Sequence, residues 1–193
     1  MNAKHAIKPK KLGVLEQANT LMASRYNYPA DVSFREAAGA ALREALNKVI
    51  DNEPGTRNGL TRRDPTPEDI EFLHDMRVGT RRLRAALSVF GAVFSPPELR
   101  RWDKEVGQLT DALGTVRDLD VQIETLRKIQ RKLPGNEAHG VGNLIERQTK
   151  SRDRQRVVLL KALHNVEKSR FAERFASVLN AALPTGKTEE ESA

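Results

Sequence analysis

Residues 73–90 read LHDMRVGTRRLRAALSVF, and this stretch decides how the chain folds. Laid out at about 100° per residue, Phe72, Met76, Leu83, Leu87, Phe90 and Phe94 gather on one arc, the spacing of an amphipathic helix. His74, Arg77, Arg81 and Arg84 gather on a different arc of about 80°. Arg82 lies off that stripe. Like charges four residues apart repel on a helix by a few tenths of a kcal/mol, and no carboxylate is interleaved along the arc. Arginine supplies nearly all of the stripe, and its planar fork suits bidentate recognition of phosphate.

Working outward, Thr66 and Pro67 suit the start of this helix, with Glu68, Asp69 and Glu71 favourable to its dipole. The pattern predicts that it runs to about residue 94, where Ser95-Pro96-Pro97 ends it and starts the next. Upstream, Ser33 with Glu36 fits a capping box. Phe34, Ala37, Ala38, Ala41, Leu42, Ala45, Leu46 and Val49 then keep helical spacing. Residues 51–67, DNEPGTRNGLTRRDPTP, read as a loop by their Gly, Pro and Asn content. Downstream, helices are expected over 97–115, 117–133, 137–166 and 169–183, with a break near Gly114 and a turn at Pro134-Gly135-Asn136. No stretch alternates with a period of two. The expected fold is all-α, an antiparallel bundle of long helices joined by short turns.

A second basic stripe, Arg147, Lys150, Arg154 and Lys161, shares one arc of the 137–166 helix. If that helix neighbours the first, the two stripes would wall a groove. Arg117-Asp118-Leu119-Asp120 is expected in a first helical turn. Asp118 and Asp120 there either favour the helix dipole or orient a binding arginine.

The chain carries 33 Lys+Arg against 26 Asp+Glu, a net of +7. The segment 1–25 holds +4 and the segment 184–193 holds −2, which leaves +5 for the body. The body's charge is informative because its arginines cluster. Residues 1–32 read as a basic arm, 33–183 as a helical domain and 184–193 as a disordered acidic tail. With no cysteine, the chain can form no disulfide and offer no thiolate nucleophile or thiolate metal ligand. No acid or histidine cluster suits a metal, and no cofactor is expected. The longest nearly apolar run, 85–94, is half of the roughly 20 residues a membrane helix needs. A membrane partner is therefore not expected, and the location read from the sequence is cytoplasmic. Aromatics make up 5% of the chain, which leaves few stacking platforms for nucleic acid.

HDMRVGTRRLRAAL (74–87) and ALGTVRDLDV (112–121) together resemble the CHAD domain, the conserved-histidine α-helical domain. The first resembles its H-D-x-R-V-x-x-R-R-L-R signature, the second its L-G-x-V-R-D-L-D-V segment. The resemblance covers about 33–183. It implies an all-helical bacterial or archaeal protein that binds inorganic polyphosphate without catalysis, at polyphosphate or storage granules. By motif match the binding role falls on His74, Arg77, Arg81, Arg82, Arg84 and Arg117, with Asp118 and Asp120 as orienting carboxylates. Lys150 and Arg154 follow from a looser match, and Arg147 and Lys161 from their stripe. The family's usual second helical half has no copy here: either that half is missing, or a homodimer completes the basic surface. The E-x-E-x-K motif of fused triphosphate-tunnel domains is absent, and triphosphatase activity is not expected. The competing readings are a histidine phosphotransfer domain using His74 and a basic nucleic-acid-binding protein.

Overall fold

The computed structural model describes residues 32–182. Among them are five α-helices and no strand: α1 (Phe34–Thr61), α2 (Pro67–Phe90), α3 (Pro96–Gln130), α4 (Gly135–Lys168) and α5 (Phe171–Ala182). A 3₁₀ turn, Gly91–Val93, ends α2 short of the expected residue 94. The all-α expectation holds. The arm expected over 1–32, its last residue apart, and the tail expected over 184–193 lie outside the described residues.

The chain divides into two compact units, 1–37 and 38–193. Of the first, the structure describes the start of α1. There the Ser33 amide donates to Glu36 Oε2 at 2.9 Å and the Glu36 amide donates to Ser33 Oγ at 3.2 Å. This is the reciprocal cap that the sequence anticipates.

In the second unit, α1 does not stop at residue 51. It runs through Pro54, Gly55 and Gly59 to Thr61, so the loop expected over 51–67 shrinks to 62–66. A proline in a helix interior costs about 3 kcal/mol, and packing on α2 offsets it. A Cβ at Gly55 would run into the Phe72 ring, and one at Gly59 would lie 2.7 Å from the Asp69 Cβ. On α2, a Cβ at Gly79 would lie 3.1 Å from the Val49 amide nitrogen. The glycines read as punctuation are the places where two antiparallel helices touch.

The short turn between α1 and α2 is fixed from both sides. Thr66 caps α2: its hydroxyl accepts from the Asp69 amide at 3.2 Å, and Asp69 Oδ2 accepts from the Thr66 amide at 2.8 Å. The same carboxylate receives Arg62 Nη1 at 3.0 Å. From beneath, Arg156 of α4 donates through Nη2 to the Gly59 carbonyl and, at 2.7 Å, to the Arg62 carbonyl. These bonds add a charged donor where the end of α1 runs out of helical ones; the Gly59 carbonyl otherwise has the Arg62 amide at 3.3 Å.

Likewise α3 has no break at Gly114 and no new start at Arg117. It is one helix of 35 residues. Glycine weakens a helix interior by about 1 kcal/mol without terminating it, and here buried Leu109 and Leu113 before Gly114 and Val116 after it pack into the core. Asp118 and Asp120 are therefore mid-helix residues, which removes the first-turn reading. Gly135 opens α4 directly after Pro134, and Arg170 makes the left-handed turn into α5 (φ 52°).

Successive helices pack on one another, α2 on α3 and α3 on α4. The α4–α1 contact at Arg156 closes the square. Val49 and Leu60, Leu73 and Met76, Leu109, Leu113 and Val116, and Leu159 and Leu163 form one core from α1, α2, α3 and α4. At the α5 end, Trp102 packs edge-on against Phe94 and Phe175, with centroids 4.9 and 4.8 Å apart. Its burial to 2% settles its role as core. At 1.5 Å per residue, α3 and α4 each exceed about 50 Å while α2 reaches about 36 Å. Their joined ends form a two-helix arm whose one buried residue is Ile123.

Arg156→Met would remove the side-chain donor that the Gly59 and Arg62 carbonyls share and leave the Gly59 carbonyl with the Arg62 amide at 3.3 Å alone. The variant is expected to lose about 3 kcal/mol of unfolding free energy in urea titration. Arg156→Lys, which keeps a donor and the charge, should lose less.

Candidate anion-binding surface

The α2 stripe faces the seam with α3. A Cβ at Gly114 would lie 3.7 Å from Arg77 Nε, and one at Gly107 would lie 3.6 Å from Arg84 Cζ. The two guanidinium groups thus lie over bare helix backbone. The paired positions descend along α3 as they ascend along α2, so these helices are antiparallel. The same register puts Arg81 level with Thr110 and His74 level with Arg117. The result is a ladder along one groove, open to solvent: Arg117 and His74, then Arg77, Arg81 and Arg84.

Two of the ladder's arginines have a loose carboxylate partner. Arg84 Nε is 3.4 Å from Asp103 Oδ1, and Arg77 Nη2 is 4.0 Å from Asp118 Oδ1. Both acids are more than half exposed. Solvated pairs of this kind contribute about 0–1 kcal/mol, so they leave the arginines available to a stronger anion. Arg81 is exposed and forms no ion pair among the described residues. Asp118 therefore does approach a stripe arginine, as the sequence suggests for an orienting carboxylate.

Asp120 does not. Its side chain is buried, with Oδ1 3.8 Å from Arg152 Nη1. Arg152 in turn reaches Asp153 at 3.1 Å, and Arg152 and Arg156 are both 7% exposed. Burial pushes the Asp120 carboxyl above its usual range despite Arg152, Arg156 and Arg117 nearby. Burial, then the charge of Arg152, lowers the Arg156 guanidinium. Asp69 behaves in the opposite sense. Burial raises it, but the Thr66 amide and hydroxyl and Arg62 together outweigh that and hold it below the usual range. Sequence reading missed Arg152 and Arg156. The signal was their position, since 152, 156, 159 and 163 fall on one helical face with Leu159 and Leu163.

Arg82 points the other way, towards α1, with Nη1 3.9 Å from Glu44 Oε1. Arg147, Lys150, Arg154 and Lys161 are all exposed on α4, and Lys150 pairs with Glu146 at 2.7 Å. They do not wall the α2 groove. With α2 on α3, α3 on α4 and α4 on α1, the helices α2 and α4 occupy diagonal corners. The wall opposite the stripe is α3, through Gly107, Gly114 and Arg117. Among the described residues no group of acids and histidines could hold a metal ion. A groove of about 550 Å³ near Arg101, Lys168 and Arg174 lies on other faces, and the ladder itself is an open surface.

The CHAD domain family model matches residues 40–193, about four-fifths of the chain. The protein belongs to the CHAD domain family. Searches of curated proteins and of solved structures gave no match. No described helix is long and apolar enough to cross a membrane.

The Asp69 cap gives a pH test of the turn beneath this surface. A carboxyl depressed in the folded state stabilises above its unfolded pKa, and that stability is lost as pH falls through the folded value. Asp69→Asn should cost about 1–2 kcal/mol at neutral pH. The gap between the two proteins should close below about pH 4, read from thermal melts across pH.

Proposed function

We propose that this chain binds inorganic polyphosphate, without catalysis, along the α2–α3 groove. The observation that carries the reading is the ladder: Arg77 and Arg84 over glycine backbone with loosely held acids, and Arg81 with no ion pair, all facing solvent in one line. Such a surface does not enclose a small substrate. It offers several cations to a flexible chain of negative charges, each contact made at modest cost once the first has formed. Membership of the CHAD family supports the ligand, and granule association follows as its cellular expression. Arg147, Lys150, Arg154 and Lys161, on the outer face of α4, are a separate and weaker attraction in this reading.

Binding by charge neutralisation releases counterions, so affinity should fall steeply with salt, in the direction known for nucleic acids. Long-chain polyphosphate binding by the wild type is compared with Arg77→Glu/Arg81→Glu as salt rises. The double variant should bind on the order of tenfold more weakly or worse. Equal binding by both proteins would sink the assignment. Double-stranded DNA should not displace the polymer at equal phosphate concentration.

A second copy of the chain would supply the family's other basic half. Solution mass measured with and without polyphosphate should then show two chains on one polymer. A strictly one-to-one complex on long polymer would count against pairing.

A further inference from the structure

We propose that Asp103 and Asp118 are positioning residues that hold the α2 arginines apart as an extended ladder, so that the surface selects an elongated polyanion over a compact one. The inference rests on the polyphosphate reading above and assigns the part α3 plays in it.

On α3 the relevant residues are Asp103, Gly107, Gly114 and Asp118. Each aspartate stands one helical turn outside a glycine. In the register set by Arg84 over Gly107 and Arg77 over Gly114, both aspartates lie on the far side of their arginine from Arg81. Asp118 draws Arg77 towards the start of α2, and Asp103 draws Arg84 towards its end. The two ends are not equivalent. Side chains on a helix lean towards its N-terminus. Arg77 therefore leans towards Asp118 without help, but Arg84 would lean back towards Arg81. Asp103 holds it against that tendency.

The consequence is spacing. Arg77 and Arg84 are seven residues apart, about 10 Å of helix rise, with Arg81 between them. Held outward by pairs of this strength, the three guanidinium groups are biased against converging on one phosphate. A long chain can lie across all of them, while a short anion reaches part of the set. Bare glycine backbone beneath Arg77 and Arg84 lets both side chains lie flat in the groove.

Simple electrostatics and positioning predict opposite signs. Asp103→Asn/Asp118→Asn removes two negative charges next to the site, which by itself should strengthen binding of every polyanion. Positioning predicts that long-chain polyphosphate binds more weakly despite that gain, by about threefold for each carboxylate, the scale of an exposed ion pair. Tripolyphosphate should bind as well as before or better, so selectivity for chain length collapses. Asp103→Glu, which keeps the charge within reach, should retain the selectivity. Both aspartates are exposed, so the melting temperature should match the wild type. If the double variant melts early, Asp103→Asn alone supplies the same comparison. Tighter binding of both long and short polyphosphate by the variant would overturn the inference while leaving polyphosphate binding intact. Failure of the wild type to bind long-chain polyphosphate would overturn the underlying reading, and the inference with it.

Discussion

The buried guanidinium of Arg156 is the constraint from which the rest of the arrangement follows. Taking a charged group out of water costs several kcal/mol unless its donors find acceptors. Here they find the Gly59 and Arg62 carbonyls, on either side of the last residues of α1. Asp69, held by Thr66 and Arg62, closes the other side of the same turn. Together they fix where α1 ends and where α2 begins. The glycine contacts then set how closely α2 lies on α1, and the core sets its register on α3. The arginines of α2 fall over Gly107 and Gly114 because that register places them there.

A ladder of this kind gives up stability for availability. Arg77, Arg81 and Arg84 repel one another along one side of a helix, and the partners of Arg77 and Arg84 are solvated acids too loose to compensate fully. The protein's strong charge pairing lies elsewhere. Arg174 grips Glu105 through two contacts at 2.9 and 3.1 Å and ties α5 to α3, and Arg152 lies buried near Asp120 and Asp153. Two groups of basic residues thus stand apart. One, Arg152, Arg156 and Arg174, is buried or half-buried and holds the helices together. The other, the α2 ladder, is at least partly exposed, weakly paired and in line, which is what a flexible polyanion requires.

How much of this was legible in the sequence follows from the range of each interaction. The α2 helix could be read closely because its information is local: a Thr66–Asp69 cap, a first-turn proline, and apolar and basic residues separated by helical period. The segment 51–61 was misread because Pro54, Gly55 and Gly59 look like turn residues. Only their contacts with Phe72, Asp69 and the rest of α2 make them interior positions. The break expected at Gly114 failed for the same reason. Arg152 and Arg156 were hidden in a basic run that resembles a solvated face, although their spacing with Leu159 and Leu163 marked them as inward-facing. Asp103 carried no signal at all, since only the α2–α3 register brings it to Arg84. The groove expected between two basic stripes was a sound reading of each helix and a wrong reading of which helices are neighbours.

On the polyphosphate reading, the polyanion lies in the α2–α3 groove. Nuclear magnetic resonance titration of isotope-labelled protein with long-chain polyphosphate tests it most directly, following arginine side-chain Nε–H groups and glycine amides. The largest shifts should fall on Arg77, Arg81 and Arg84 and on Gly107 and Gly114, with Arg147 and Arg154 on α4 moving little. Shifts centred on the outer face of α4, or in the groove around Arg101 and Lys168, with the α2–α3 resonances unmoved, would contradict it.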